Sequence, residues 1–314
     1  MKVAIGLITY KRPNGLKTVL ESICRLQVPS DVDLHVIIVS NEQSQETQEI
    51  VRNCENTHTD IHFHYDVEET VGIPFARNKT VTRAMEMKAD ALIYIDDDEI
   101  CPKDWLTTMI SFWQAHKDEA DVFTGPVCPI FPEKGTPNWA KTSDFYNTID
   151  RHDDGALIDR AYTNNTLVSA RALNKAGPCF HSAFAQTGSS DLHYFQTLYI
   201  RHGLKIMWCN EAFLYETVPS SRLNLRWLAK RGFRSGAGDT ISRLLVHDKS
   251  AKGIVKVITL SGGRLVSAFL LLLVGIITFN MARIVKGYRR FFSGVGGFAG
   301  LFGFNYNEYK TIHT

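Results

Sequence analysis

Residues 3–8 form an unbroken apolar run that stops at Thr9-Tyr10-Lys11-Arg12-Pro13, the pattern of a strand buried on both faces. Leu16, Val19, Leu20, Ile23 and Leu26 then recur at helical spacing. The apolar run returns at residues 34–39, ending at Ser40-Asn41-Glu42, and at 91–95, ending at Asp96-Asp97-Asp98-Glu99. Residues 61–65 and 121–125 predict further strands, and 74–88 and 105–116 predict helices. Strand–helix alternation at this spacing predicts an α/β, Rossmann-like, doubly wound and mostly parallel sheet. Ligands of such sheets gather outside the carboxyl ends of the strands, where all three polar clusters fall. Residues 128–154 carry Pro129, Pro132, Gly135 and Pro137 and predict a loop or flap. Beyond it, 160–169 is strand-like, 192–202 helical and 205–208 extended.

The end of the chain has a different texture. Residues 265–282 hold no charge, and as a helix they would span about 27 Å, just short of a ~30 Å hydrocarbon core. Arg264 stands on one side; Arg283, Lys286, Arg289 and Arg290 stand on the other. Residues 291–307 form a second, Gly-rich uncharged stretch. One reading is a buried core helix. The run of leucines, the flanking cations and the glycines favour the other, a C-terminal membrane-associated helical segment. The N-terminal run has no cleavage-site pattern, so the body is expected in the cytoplasm.

With 314 residues, 44% of them apolar and 22% charged, wholesale disorder is excluded. The six cysteines form no CxxC pair, which disfavours a zinc ribbon and predicts reduced thiols. Net charge is only +2, yet residues 222–290 hold fourteen Lys and Arg against Asp239 and Asp248. That block predicts an anionic partner. Membrane lipids fit best, because no nucleic-acid motif accompanies the charge.

Two local features suggest chemistry. Four consecutive acids after a buried strand repel one another; two unit charges 4 Å apart cost about 4 kcal/mol at an effective dielectric constant near 20. The cluster is either a solvated acidic turn or a cation site, and hard cations such as Mg²⁺ or Mn²⁺ take carboxylate oxygen together with phosphate. Strand alternation would put Asp96 and Asp98 on one side and Asp97 and Glu99 on the other. In Gly188-Ser189-Ser190-Asp191, before the helical 192–202, the Ser or Asp is an N-cap or the Asp a general base. His181 and His193 are expected to pack or lie on the surface.

Together these residues resemble the family 2 inverting glycosyltransferases of GT-A fold, and among them bacterial exopolysaccharide enzymes of the succinoglycan glucosyltransferase type. The resemblance covers roughly residues 1–236. It rests on Thr9–Pro13, Gly72-Ile73-Pro74-Phe75-Ala76-Arg77-Asn78, Tyr94–Glu99 with Trp105-Leu106, Gly188–Asp191, and Arg222-Leu223-Asn224-Leu225-Arg226-Trp227. It implies that Asp98 and Asp96 are a DxD motif holding Mg²⁺ or Mn²⁺ on a nucleotide-sugar donor, with Asp96 facing the nucleotide, and that Asp191 is the catalytic base. Thr9, Tyr10, Arg12, Arg77, Asp96 and Asp97 would meet the nucleotide. Asn41 or Glu42 would replace an Asp that the family often has after the second strand. Trp139, Arg222, Arg226 and Trp227 are candidates for a lipid-linked saccharide acceptor. The family's Gly-x-Glu-Asp is Gly-Ser-Ser-Asp here, and Leu223 breaks its QxxRW pattern, which favours addition of one sugar over processive synthesis. The expected organisation is a catalytic domain over 1–221, a basic membrane-proximal region over 222–260 and a hydrophobic tail over 261–314, on the cytoplasmic face of the inner membrane. A nucleotidyltransferase would be expected to show a Gly-rich phosphate loop after the first strand, and residues 9–15 hold one Gly. A membrane-tethered, non-catalytic binding or scaffold protein is the other alternative, supported by Ser190.

Overall fold

The apolar runs become the inner strands of one sheet. The computed structural model describes residues 1–143, 145–149 and 151–304. Strands β1 (Lys2–Thr9), β2 (Asp33–Ser40) and β3 (His62–Val67) pair in parallel, and β4 (Ala91–Tyr94) joins the other side of β1 in parallel. Next come β5 (Glu99–Ile100), β6 (Val122–Thr124), β7 (Val127–Ile130), β8 (Leu157–Ile158), β9 (Thr166–Ser169), β10 (Ile206–Trp208) and β11 (Leu214–Thr217). The main sheet has the order β3-β2-β1-β4-β9-β6-β10-β8, and β5-β11-β7 form a small second sheet. The main sheet is mostly parallel, with β9 antiparallel to β4 and β6, and β8 antiparallel to β10.

Helices α1 (Pro13–Ile23), α2 (Gln45–Thr57) and α4 (Trp105–His116) accompany one face, where Leu7, Leu16, Leu20, Val36 and Trp105 share a core. Helices α3 (Ile73–Glu86), α6 (Ala170–Ala176) and α7 (Ser190–Gln196) accompany the other, around Ile37, Val81, Leu92, Val168 and Tyr194. Alternate residues of the strands feed the two layers, and each fully buried apolar side chain contributes about 1.5–3 kcal/mol. The loop 128–154 contains β7 and the short α5 (Asn138–Lys141), so it is more ordered than its Pro and Gly content predicts.

Three long helices close the described chain: α8 (Leu225–Val246), α9 (Ala251–Ile277) and α10 (Met281–Leu301). Helix α9 runs straight through the 260/261 boundary drawn from the sequence. The uncharged 265–282 run is not one helix, which corrects the sequence expectation. It breaks at Thr278-Phe279-Asn280, where Phe279 takes φ +50° and the Asn280 side chain caps α10 by accepting from the Arg283 N–H. Residues 305–307 of the second uncharged stretch, and the tail to 314, lie outside the described residues.

Helices α8 and α10 meet almost backbone to backbone. A Cβ on Gly236 would overlap the Ser293 carbonyl, and one on Gly296 would overlap the Phe233 carbonyl. Gly236→Val should therefore force the pair apart, at an overpacking cost of about 1–3 kcal/mol or more, and lower the melting temperature by several degrees. An unchanged thermal melt would show that this contact does not form.

Helix α8 also seats α7. Asp239 is buried and accepts from Gln196 Nε2 (3.0 Å), Arg243 Nε (3.1 Å) and, from α9, Arg264. Burial favours the neutral acid, but Arg264, Arg243 and Arg160 together hold the Asp239 carboxyl below its ordinary value. Ser242 donates to Gln196 Oε1 (2.6 Å) and lies 3.2 Å from His193 Nδ1. Burial, with His181 and Arg201 nearby, pushes His193 down to about 4, so it packs here as a neutral ring.

Candidate active site

The cleft forms where β1 and β4 end. Strand β4 stops at Tyr94, so Asp96, Asp97 and Asp98 lie on the turn before β5, and Glu99 opens that strand. The expected alternation therefore fails: Asp97 and Asp98 turn together towards one guanidinium. Arg12 Nη1 donates to Asp97 Oδ1 (2.9 Å) and Asp98 Oδ2 (3.2 Å), and Thr9 Oγ1 donates to Asp97 Oδ2 (2.9 Å). Glu99 folds back and accepts from the Asp96 N–H (2.8 Å). Burial, then the neighbouring Asp96, raises the Glu99 carboxyl well above the usual range.

Asp96 faces the remaining space. Arg77, buried on α3, approaches Asp96 Oδ1 to 3.5 Å and donates to Ser190 Oγ (3.0 Å). Burial first, and then the charges of Asp98, Asp191 and Asp97, push the Asp96 carboxyl up, against the pull of Arg77. The charge of Asp191 thus reaches Asp96. Asp191 sits in the first turn of α7, where its Oδ1 accepts from the Leu192 N–H (2.8 Å). Ser190 is thus a polar link between α3 and α7, a role that sequence reading did not give it.

Asp98 has a second cation. Arg222 Nη2 lies 3.5 Å from Asp98 Oδ2, and its Nη1 donates to Glu216 (2.7 Å). Glu216 was missed from the sequence because its strand, β11, pairs with β5 across a long stretch of chain, Glu216 opposite Glu99. Tyr146 Oη donates to the Arg222 carbonyl (2.8 Å), and its ring stands 6.4 Å from Trp139 and 6.3 Å from Trp227, stacked on the latter. Trp139, Arg222 and Trp227 thus come together around Tyr146. Arg226 is exposed on the first turn of α8.

Beside the end of β1, Tyr10, Lys11, Asn41, Glu42, Val67 and Val71 border a recess of about 390 Å³. Glu42 accepts from the Lys11 N–H (2.8 Å). The Asn41 side chain is fully engaged with backbone: Nδ2 donates to the Glu68 and Thr70 carbonyls, and Oδ1 accepts from the Gly72 N–H. It shapes the recess floor. Asp33, His35 and His62 also gather, with ligand atoms within 4.8 Å of one another, but at the opposite end of β2 from Ser40 and the cleft.

A sheet of this order, with an acidic turn after β4 and a carboxylate on α7, defines a GT-A-type transferase. The fold is shared with the mannosyltransferase PcManGT from Pyrobaculum calidifontis, solved with GDP-Man and Mn²⁺ (TM-score 0.60, 15% identity, 96% of this chain and 87% of that one). It is also shared with residues 1–349 of S. aureus TarS, solved with UDP-GlcNAc (TM-score 0.52, 14% identity, 98% and 93%). The chain spans 40% of the longer TarS structure. The model of glycosyl transferase family 2 matches residues 4–177. The chain is 31% identical over 248 residues to the succinoglycan biosynthesis protein ExoM of Rhizobium meliloti (strain 1021), covering 79% of this chain and 76% of that protein. The chain belongs to glycosyl transferase family 2 and is a glycosyltransferase.

Proposed function

We propose that this glycosyltransferase moves one sugar from a nucleoside-diphosphate sugar, a UDP-hexose, to a lipid-linked saccharide in exopolysaccharide or cell-surface glycan synthesis. The anomeric centre inverts. The observation that supports this most is the Arg77 bridge, which brings the acidic turn and the Asp191 helix to one cleft. An acceptor hydroxyl attacks the anomeric carbon opposite the diphosphate, and Asp191 takes its proton as the old bond to the phosphate oxygen breaks. Arg12 and Arg77 stand where negative charge grows on the leaving group.

The donor set suits Mg²⁺ or Mn²⁺: hard carboxylate oxygens of Asp96 and Asp98, in a cleft where burial, and then the neighbouring acids, raise the Asp96 carboxyl. Such an ion, when bound, supplies charge neutralisation at the leaving diphosphate. Tyr10, Asn41 and Glu42 border a recess sized for a nucleoside, and Thr9, next to Tyr10 in the chain, donates to Asp97. The Trp139–Tyr146–Trp227 platform, with Arg222 and Arg226, is the acceptor side; planar rings stack on sugars and guanidinium groups pair with phosphate. The relative's role in succinoglycan synthesis supports the acceptor class. Residues 1–221 carry the chemistry, and the basic and hydrophobic regions after them hold the enzyme to the cytoplasmic face of the inner membrane.

A panel of sugar nucleotides, read by release of nucleoside diphosphate with Mn²⁺ and with EDTA, tests this. One donor should be turned over at least tenfold faster with the metal. Release from none of them would favour a non-catalytic binding protein.

A further inference from the structure

We infer that the C-terminal helices hold the protein in a single leaflet of an anionic membrane and do not cross it. This rests on the reading that these helices meet lipid, and not on the transfer chemistry. Val255 and Ile258, and after Gly262 also Val266, Phe269, Leu273 and Ile276, follow three-, four- and eight-residue spacing along the outer side of α9, and all six apolar side chains are exposed. The stripe continues into the turn, where Phe279 is 94% exposed. A continuous apolar face of this length is unusual on a protein that meets only water.

Crossing conflicts with the rest of the region. Helix α9 is long and apolar enough to span by length and composition. However, its charge-free part, residues 265–277, covers only about 20 Å against a ~30 Å core. Arg264, just before it, faces Asp239 and thereby the catalytic helix α7. The return helix α10 carries Arg283, Lys286, Arg289 and Arg290. The Arg289 guanidinium lies 4.6 Å from the Phe145 ring of the 128–154 loop, about 14 Å along the helix from the turn. Sinking the turn further than one leaflet would drag Phe145, its loop and the Arg–Asp cluster into hydrocarbon, where unsolvated polar groups are costly.

Charge selects the occupant. Exposed Lys252, Lys256, Arg283 and Arg290 rim the apolar face, the arrangement of helices that lie in the interface of anionic bilayers. A second copy would set cations against cations, since residues 222–290 offer only Asp239, which is buried, and Asp248 in return. Seated this way, the Trp139–Tyr146–Trp227 platform, joined to α10 through Phe145 and Arg289, lies at headgroup level.

Vesicle sedimentation of the full chain tests the inference, using phosphatidylcholine with and without phosphatidylglycerol. The wild type should sediment with the anionic vesicles, and Phe279→Asp should weaken binding at least tenfold with an unchanged melting temperature. In bound Phe279→Cys, a membrane-impermeant maleimide should add no label beyond the wild-type background, whether supplied outside or trapped in the lumen. Labelling by the trapped reagent would establish a crossing and overturn the single-leaflet placement. Absence of vesicle binding, with self-association in the ultracentrifuge, would overturn the lipid assignment and give the stripe to a second copy. Nucleoside diphosphate release in detergent, measured on the same preparations, reports on the chemistry separately.

Discussion

Asp191→Asn is expected to lower sugar transfer by about 10²–10⁴-fold while leaving donor affinity within about twofold, the size of effect that general-base help supplies. The substitution is nearly isosteric. An amide oxygen can still accept from the Leu192 N–H, so the first turn of α7 keeps its local geometry. The helix is further fixed by Ser190 on Arg77 and by Gln196 on Asp239 and Ser242, none of which the change touches. What is lost is the proton acceptor and one negative charge facing Asp96. Turnover of the variant in a saturating-donor assay, with donor binding by calorimetry, separates the two quantities. Near-wild-type turnover would move the base elsewhere.

Asp98→Ala should weaken Mn²⁺-dependent donor binding at least tenfold and make the remaining affinity insensitive to EDTA. The carboxylate is shared between Arg12 Nη1 and Arg222 Nη2, so its removal frees both guanidinium groups to pull on Asp97 and Glu216. It also removes one of the charges that raise Asp96, so the Asp96 carboxyl should fall towards its ordinary value. Stability should change little, because repulsion among the acids is relieved as two ion pairs are lost. Donor titrations with and without EDTA are the check. Superimposable wild-type and variant curves would exclude Asp98 as a metal ligand.

The inner strands were legible because β1, β2 and β4 are apolar on both faces, a pattern that survives without knowledge of neighbours. The reversal of β9 was not, since direction in a sheet is decided by pairing across long separations and not by local sequence. The acidic turn was placed correctly after its strand, but alternation misassigned its faces because the strand ends at Tyr94 and the rest follows turn geometry. Asn41 illustrates another limit: three backbone partners claim its amide, and all three lie at residues 68–72. The break at 278–280 hid inside an apolar run because Thr278-Phe279-Asn280 itself holds no Gly or Pro, although Asn280 is a good capping residue and was a usable signal. The Arg264–Asp239–Gln196 chain was invisible because its members belong to three helices whose docking no periodicity reports.

That same chain bears on any attempt to shorten the protein for solubility. Deleting everything after α8 would strip the greasy hairpin but also take Arg264 from a carboxylate sealed in the interior, leaving it Arg243 and the glutamine that steadies the Asp191 helix. Detergent or a lipid nanodisc around the intact polypeptide is therefore the gentler route; polar substitutions on the outward side of α9 would keep Arg264 on Asp239, which truncation removes, but would give up lipid binding.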